Sequence, residues 1–212
     1  MASRGRPRGF DRDLALLRAM NTFWERGYQA TSLADLTSAM GIAAPSLYAA
    51  FGSKAELFQE AVRLYQRTEC APIEDSMRDA PTAREAVSRL LRQNADAYTA
   101  PDTPPGCLVV LGAINCTEES AGARDFLAEQ RRADLAALSA RLNRGVEDGD
   151  VPAGTDVDVL AAFYTSVLYG LSIHARDGMS RAHMQGIVDV ALAAWDALAA
   201  PHAARPASVL GG

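Results

Sequence analysis

Apolar residues recur at helical spacing along most of the chain. Between residues 11 and 26 they fall at i, i+3, i+4 and i+7, which predicts an amphipathic helix that Gly27 ends. The run from Cys107 to Cys116 contains β-branched residues that could form a strand, but the sequence offers no partner strand for it. The pattern therefore predicts an all-α protein of about nine helices.

Two short helical segments lie within residues 31–57. Ser32 is placed to cap the first, and Asp35 three residues later completes a capping-box pattern. Gly41 suits the left-handed end of that helix, and Pro45 suits the first turn of the next. This arrangement is typical of a helix-turn-helix, in which the second helix enters the DNA major groove.

A longer connector helix begins after Ser53, and its apolar pattern runs on to Tyr65 without a linker. Pro72 and Pro81 mark a boundary. Beyond it, helices are predicted over 82–98, 107–116, 126–146, 155–175 and 180–198. We expect four parts, namely a flexible basic arm over 1–9, a helix-turn-helix head over 10–53, a helical body over 54–200 and a disordered tail over 201–212.

The chain has 212 residues, of which 49% are apolar and 22% charged, as in ordinary soluble globular proteins. No apolar run approaches the roughly 20 residues that span a bilayer, and no signal peptide is visible. Three widely spaced cysteines suit a reducing cytoplasm better than a disulfide framework. We therefore expect a cytoplasmic protein without a membrane partner.

Net charge is −5, which by itself argues against nucleic-acid binding. The distribution changes this, because residues 1–67 hold nine basic and six acidic side chains, whereas the remainder holds 12 and 20. In the arm, Arg4 and Arg6 belong to an Arg-Gly-Arg-Pro run that resembles the core of an AT-hook, whose arginines enter the minor groove. The alternative is a disordered tail that only raises non-specific affinity.

A set of linked positions with fixed spacing lies within residues 10–60. Its members are Gly27, Tyr28, Thr31, Ser32, Gly41, Ile42, Leu47, Tyr48, Phe51, Ser53, Lys54 and Leu57. This set resembles the N-terminal domain of the TetR family of bacterial transcriptional regulators. The resemblance implies a homodimer that binds a palindromic double-stranded DNA operator and holds an effector in its C-terminal helices. It also implies DNA contacts from Thr31, Ser32, Ala44, Pro45, Ser46, Tyr48 and Lys54.

In the family, Ser46, Tyr48 and Lys54 would hold phosphates, whereas Ala44 and Pro45 would face base edges. Positions 43, 44, 49 and 50 are alanine here, where polar or aromatic residues are usual. Alanine can touch a thymine methyl but cannot make a bidentate hydrogen bond. We therefore expect weak direct readout, with the arginine arm and the dimer spacing adding specificity. The alternative is that Tyr48 is a structural aromatic and Ser46 a plain helix residue.

The helix predicted over 155–175 is apolar nearly all round, so it must be buried on two faces. By the resemblance, it and the last helix pair with their copies in a four-helix dimer interface. The residues assigned to this interface are Leu160, Val167, Leu171, Ile187, Ala191 and Trp195. Those assigned to a pocket for a mostly apolar small molecule are Tyr98, Leu108, Phe126, Phe163, Tyr164, Leu168 and Tyr169. By composition alone, the pocket set is equally well explained as ordinary core.

Cys107 follows Gly106 at a predicted helix start, where unpaired N–H groups and the helix dipole can stabilise a thiolate. Some TetR-like regulators with Gly-Cys at this point are similar to oxidant or electrophile sensors; the alternative is a small buried apolar residue. Histidines 174, 183 and 202 lack metal-ligand spacing, and no catalytic motif stands out. We expect no metal, no cofactor and no enzymatic activity.

The sequence thus predicts a sequence-specific DNA-binding regulator, acting as a repressor that a small ligand releases. The expected mechanism is a population shift in which the ligand moves the connector helix and changes the spacing of the two heads. Two alternatives stay open. One is a redox or electrophile sensor acting through Cys107, and the other is a low-specificity minor-groove binder dominated by Arg4 and Arg6.

Overall fold

The computed structural model describes residues 10–201, and this part of the chain contains helices and connecting segments without a strand. The all-α fold class is confirmed. The helices are α1 (Arg12–Ala30), α2 (Leu33–Met40), α3 (Ala44–Phe51), α4 (Lys54–Tyr65), α5 (Ala71–Arg78), α6 (Ala83–Tyr98), α7 (Leu108–Leu111), α8 (Ala121–Asp148), α9 (Val157–Arg176), α10 (Arg181–Ala193) and α11 (Trp195–Leu198). The predictions on the arm, Arg4 and Arg6 included, and on residues 202–212 lie outside the described residues.

If α4 and α5 are counted as one continuous helix, and α10 and α11 as another, residues 10–201 contain nine helices, in agreement with the expectation of about nine. A π-helical turn, Gln66–Cys70, joins α4 to α5, and Ala194 alone separates α10 from α11. Pro72, which we expected to mark a boundary, lies in the first turn of α5, where a missing N–H is tolerated. A 3-10 turn, Glu118–Ser120, leads into α8.

The head consists of α1, α2 and α3 packed on α4 around an aromatic core. The Phe58 ring meets Phe23 and Tyr28 edge-on, with centroid distances of 5.0 and 4.9 Å. Leu47 and Phe51 of α3 are buried in this core. The opposite side of α3 is left exposed.

Local sequence signals place the turns of the head where we predicted them. The Ser32 hydroxyl accepts the Asp35 N–H while the Asp35 carboxylate accepts the Ser32 N–H, so the capping box is present. Gly41 ends α2 in the left-handed conformation at φ 69°. A second capping box, between Ser53 and Glu56, starts α4.

The head meets the body through the end of α1, which we call the head–body junction. Gly27 interrupts the helix at φ 76°, a conformation that L side chains rarely adopt. The break turns the Tyr28 N–H outward to donate to the Gly112 carbonyl at 2.6 Å. The Trp24 indole Nε1 donates to the Gly106 carbonyl at 2.9 Å in a buried position. Both acceptors flank α7.

The prediction of a ten-residue helix over 107–116 is wrong, because α7 is a single turn, Leu108–Leu111. The carbonyls of Gly106 and Gly112, on either side of this turn, accept hydrogen bonds from the head. At the start of the turn, the Cys107 N–H donates to the Ser172 hydroxyl of α9 at 2.9 Å.

In the described part of the chain, α9 is the one helix long and apolar enough to cross a bilayer, with a mean hydropathy of 1.3. Core helices of soluble proteins meet the same criterion. Here Leu160, Tyr164 and Leu171 are buried, and α9 contacts α6, α8 and α10. We therefore describe α9 as the central helix of the body.

Replacing Trp24 with phenylalanine should weaken the junction, because the buried Gly106 carbonyl loses its donor from the head. We expect Trp24→Phe to lower the free energy of unfolding by about 1 kcal/mol more than Trp195→Phe. Trp195 is also buried, but its indole makes no hydrogen bond within residues 10–201. Urea unfolding measures both variants, and equal losses would show that the bond does not stabilise the junction.

Candidate nucleic-acid interface and effector cavity

The exposed side of α3 presents small residues and one large aromatic. Ala44, Pro45 and Ala49 are exposed, Ser46 is half-buried, and Tyr48 is 49% exposed. A tyrosine this exposed makes no core contact that would explain it as a structural aromatic. The surface therefore offers two hydroxyl groups and apolar contacts, without a side chain capable of a bidentate hydrogen bond to a base.

The two residues before α2 differ in accessibility. Thr31 is 0% exposed, and its hydroxyl donates to the Gly27 carbonyl at 2.6 Å. Its predicted DNA contact is therefore wrong, because the side chain is committed to the interior of the head. Ser32 is exposed, but its hydroxyl bonds to Asp35, and this bond lowers the pKa of that carboxyl. Arg26 pairs with the same carboxylate at 2.8 Å.

Lys54 begins α4 and packs on the head core. Its Nζ lies 4.3 Å from the centroid of the Tyr28 ring, a cation–π contact. Burial lowers the pKa of the Lys54 ammonium, against a smaller opposing effect of Cys116 and Asp35. Lys54 is half-buried, so its ammonium can keep this contact with Tyr28 and still present N–H donors to a phosphate.

The body holds a cavity of about 290 Å³ between the π-helical turn and helices α5, α6, α7, α8 and α9. Tyr98, Leu168 and Tyr169, three of the residues predicted for a pocket, line it. The rest of the wall consists of Gln66, Cys70, Ile73, Glu74, Met77, Leu90, Asn94, Cys107, Val109, Val110, Ala133, Asp134, Ala137, Leu138 and Thr165. Most of these side chains are apolar, as in typical small-molecule sites.

The prediction is wrong for the other four pocket residues, which lie elsewhere. Leu108 is fully buried in the core, and Phe126 packs on the core from outside the wall. Phe163 is 37% exposed on the outer face of α9. Tyr164 is buried, and its hydroxyl donates to the Ala191 carbonyl at 3.2 Å. Composition could not separate core from wall, because the same residue types serve both.

Four polar side chains of the wall use their donor atoms within the protein. These bonds run from Gln66 Nε2 to Gln130 Oε1 at 2.9 Å, from Asn94 Nδ2 to the Leu90 carbonyl at 2.8 Å, from Thr165 Oγ1 to the Ala161 carbonyl at 2.8 Å, and from Tyr169 Oη to the Arg131 carbonyl at 3.2 Å. Each of these groups thus uses one donor hydrogen within the protein, and the amides of Gln66 and Asn94 each keep a second N–H.

Asp134 is the functional candidate that sequence reasoning missed. It lies on α8, four residues before Leu138 and thus on the apolar side of the helix, which was the available signal. Burial, and to a smaller extent nearby Glu74, raises the pKa of its carboxyl to about 7, whereas Arg131 opposes the shift. Burial also raises the pKa of Glu74, which is exposed at the rim of the cavity.

Cys107 is 6% exposed and contributes to the cavity wall. Burial raises the pKa of its thiol, although a hydrogen bond with the Tyr65 hydroxyl and the N–H groups of Val109 and Val110 oppose this. The thiol form therefore dominates at neutral pH. This agrees better with the alternative of a small buried residue than with a preformed thiolate.

The outer surface of α9 and α10 is apolar and exposed. Val159 is 50%, Ile173 47% and Val190 74% exposed, and Phe163 lies on the same helix face as Val159. The predicted interface is wrong for four of its members, which are buried inside the protomer. These are Leu160, Leu171, Ala191 and Trp195, whereas Val167 and Ile187 are half-buried. Both faces of α9 carry apolar residues, so periodicity could not tell the inner from the outer.

Two family models match the chain. Residues 16–61 match the bacterial regulatory proteins of the tetR family, and residues 83–196 match the tetracyclin repressor-like C-terminal domain. The chain belongs to the TetR family. The segment between the two matches includes residues of the π-helical turn and of α5 that line the cavity, from Gln66 to Met77.

Relatives of this TetR-family chain are transcriptional regulators. The repressor ComR of Escherichia coli K12 is 34% identical over 197 residues, 92% of this chain and 94% of ComR. The repressor BdcR of the same organism is 32% identical over 176 residues, 83% of this chain and 84% of BdcR. A cysteine variant of the TetR-family regulator CifR, complexed with 26-base-pair double-strand operator DNA, is 48% identical with a TM-score of 0.88. The match covers 90% of this chain and 100% of the CifR chain. The present chain is a DNA-binding transcriptional regulator.

Asp134→Asn should stabilise this TetR-family regulator in a pH-dependent way. Because burial raises the carboxyl pKa from 3.8 to about 7, the folded chain binds an extra proton between these values, and the free energy of unfolding falls as pH rises through this window. The full effect would be at most about 4 kcal/mol. Solvent reaching the cavity reduces it, so we expect a gain of about 2 kcal/mol at pH 8 that disappears near pH 4.

Chemical unfolding at both pH values measures this gain. Glu129→Gln is the matched control, because Glu129 is exposed on the same helix, and we expect a change within about 0.5 kcal/mol. A variant Asp134→Asn that is less stable than the wild type at pH 8 would contradict the interpretation of Asp134 as a desolvated carboxylate.

Proposed function

We propose that the chain is a homodimeric repressor that leaves a palindromic operator when a small, mostly apolar molecule enters the cavity. Relatives named as repressors support the direction of regulation. The CifR variant complexed with operator DNA supports double-stranded DNA as the partner. Release by a ligand is typical of the family.

The observation that carries the proposal is the double role of residues 106–112. Cys107 and Val110 of this segment line the cavity. The carbonyls of Gly106 and Gly112, at its two ends, accept hydrogen bonds from α1 of the head. A ligand that displaces the segment must therefore strain those bonds. It releases the operator only if it binds the displaced form more tightly than the form that fits DNA.

The connector supplies a second route between cavity and head. Gln66, Cys70 and Ile73 line the cavity from the π-helical turn and the start of α5. Since α4 runs directly into this turn, a ligand that displaces these residues would also move α4, the helix on which the head packs. A π-helical turn inside a helix is often found at functional sites. This route is the one that the sequence predicted.

We assign the DNA contacts to the exposed surface of α3. Tyr48 and Ser46 would donate hydrogen bonds to phosphate, and Ala44 and Pro45 would approach base edges. Lys54 would add a phosphate contact beside Tyr28. Because the alanines cannot read bases by hydrogen bonds, the spacing of two heads on two half-sites would carry much of the specificity.

We assign the dimer interface to the exposed apolar face of α9 and α10. Val159, Phe163, Ile173 and Val190 support it, since a soluble monomer rarely exposes so many large apolar side chains on adjacent helices. A two-fold interface would place the same face of each copy against the other. We divide the chain into a head over 10–53 and a body over 54–200. We further propose that the protein is located in the cytoplasm and has no enzymatic activity.

The two alternatives are weaker. Sensing through Cys107 thiol chemistry is favoured by its place in the cavity wall but opposed by the raised pKa of the thiol, which lowers its nucleophilicity at neutral pH. Low-specificity minor-groove binding through Arg4 and Arg6 would make affinity depend steeply on salt and little on sequence.

Tyr48→Phe should weaken operator binding about fivefold, because one hydrogen bond to phosphate is lost and contributes about 1 kcal/mol. The slope of affinity against salt should not change, since no charge is removed. Genome-wide mapping of bound sites supplies the operator, and fluorescence anisotropy measures the affinity. Tyr164→Phe is the control, because its hydroxyl bonds inside the body. Unchanged affinity of Tyr48→Phe would remove α3 as the contact surface.

Val190→Glu should disrupt the dimer, because a two-fold interface brings the two new carboxylates together in an apolar environment. We expect the dimer dissociation constant to rise at least about 100-fold. Analytical ultracentrifugation measures it. Leu14→Glu is the control, since Leu14 is an exposed apolar residue of the head, 43% exposed. A dimer that survives Val190→Glu would place the interface elsewhere.

A further inference from the structure

We propose that the cavity selects a small, mostly apolar molecule carrying one protonated amine, whose ammonium group lies against the Asp134 carboxylate. The inference rests on the proposed function only in taking this cavity as the effector site. It assigns the chemical class of the effector and the residue that recognises it.

The charged side chains of the wall are both carboxylates, Glu74 and Asp134, and the described residues that line the cavity include no Lys, Arg or His. The hydroxyl donors of Thr165 and Tyr169 bond to other groups of the protein, whereas the amides of Gln66 and Asn94 each keep a second N–H. A carboxylate or a phosphate would therefore meet neutral donors here but no cation to pair with.

The Asp134 carboxylate makes no hydrogen bond and no ion pair with any residue in the range 10–201. Its nearest cation, Arg131, donates Nη1 to the Val109 carbonyl at 2.8 Å and forms no ion pair with it. A half-buried carboxylate without a protein partner is costly, and its cost falls when a ligand supplies the cation.

The rim strengthens the preference for a cation. Glu74 also lines the cavity and likewise lacks an ion pair among the described residues, because Arg78 pairs with Asp75 and Asp79. The carboxylates of Glu74 and Asp134 therefore face the same opening, and Glu74 raises the pKa of Asp134. They would attract a positively charged molecule and repel an anion.

The apolar wall and the volume restrict the rest of the ligand. Ile73, Met77, Leu90, Val110, Leu138 and Leu168 surround the space. A volume of about 290 Å³ lies near the lower end of the range of ligand pockets, which is about 300 Å³. A single aromatic ring or a short alkyl chain bearing the amine suits these limits.

Three probes of equal size test the inference, namely 2-phenylethylamine, 2-phenylethanol and phenylacetate. Isothermal titration calorimetry on the full chain at pH 7.5 gives the affinity of each. We expect the amine to bind at least about tenfold more tightly than the alcohol, and the carboxylate to bind most weakly. Asp134→Asn should bring the amine to the level of the alcohol, and Glu129→Gln should leave the order unchanged. Thermal unfolding confirms that both variants are folded.

Three results would overturn the inference: equal binding of amine and alcohol, no binding of the amine, or a preference that survives Asp134→Asn. Loss of the preference in Glu74→Gln alone would show that Asp134 is the wrong carboxylate. Operator affinity measured in the presence of each probe separates the test of the ligand class from the test of ligand-induced operator release. Amine binding that leaves operator affinity unchanged would overturn the switch alone, and operator release by the alcohol but not the amine would overturn the ligand class alone.

Discussion

The contact on which the structure depends most is the pairing of the end of α1 with the two ends of α7. Gly27 takes a positive φ that turns the Tyr28 N–H toward the Gly112 carbonyl, and a Cβ on Gly27 would lie 3.2 Å from that same oxygen. Trp24 makes the second bond, to Gly106. Because both acceptors flank a one-turn helix in the cavity wall, head and cavity share one short, hydrogen-bonded segment.

The cavity wall also contains a carboxylate that is unfavourable for folding, that of Asp134. A carboxylate with a raised pKa, such as that of Asp134, lowers the stability of the apo protein at neutral pH. Unsatisfied polar groups of this kind are tolerated where binding satisfies them, and sites of binding are often less stable than the scaffold around them. The same residue therefore weakens the free fold and gives the cavity its chemical preference.

Prediction from sequence succeeded where the information is local. The capping box at Ser32, the start of α4 after Ser53 and the left-handed Gly41 each depend on residues within four positions, so the sequence contains the whole signal. It failed where a choice depends on packing between distant elements. Leu171 and Val159 belong to one apolar helix, and only the contacts of α9 with α6 and α8 decide that the first is buried and the second exposed.

The composition of α3 makes the junction matter more than in a regulator with strong base contacts. With alanine at 43, 44, 49 and 50, the helix can position a head on phosphates but can discriminate bases only weakly. In the dimer that we propose, affinity for the operator would then depend on both heads fitting two half-sites at once, and a mismatch in spacing would lose the contacts of the second head. A small displacement of residues 106–112, passed on through the junction, would thus suffice to change occupancy.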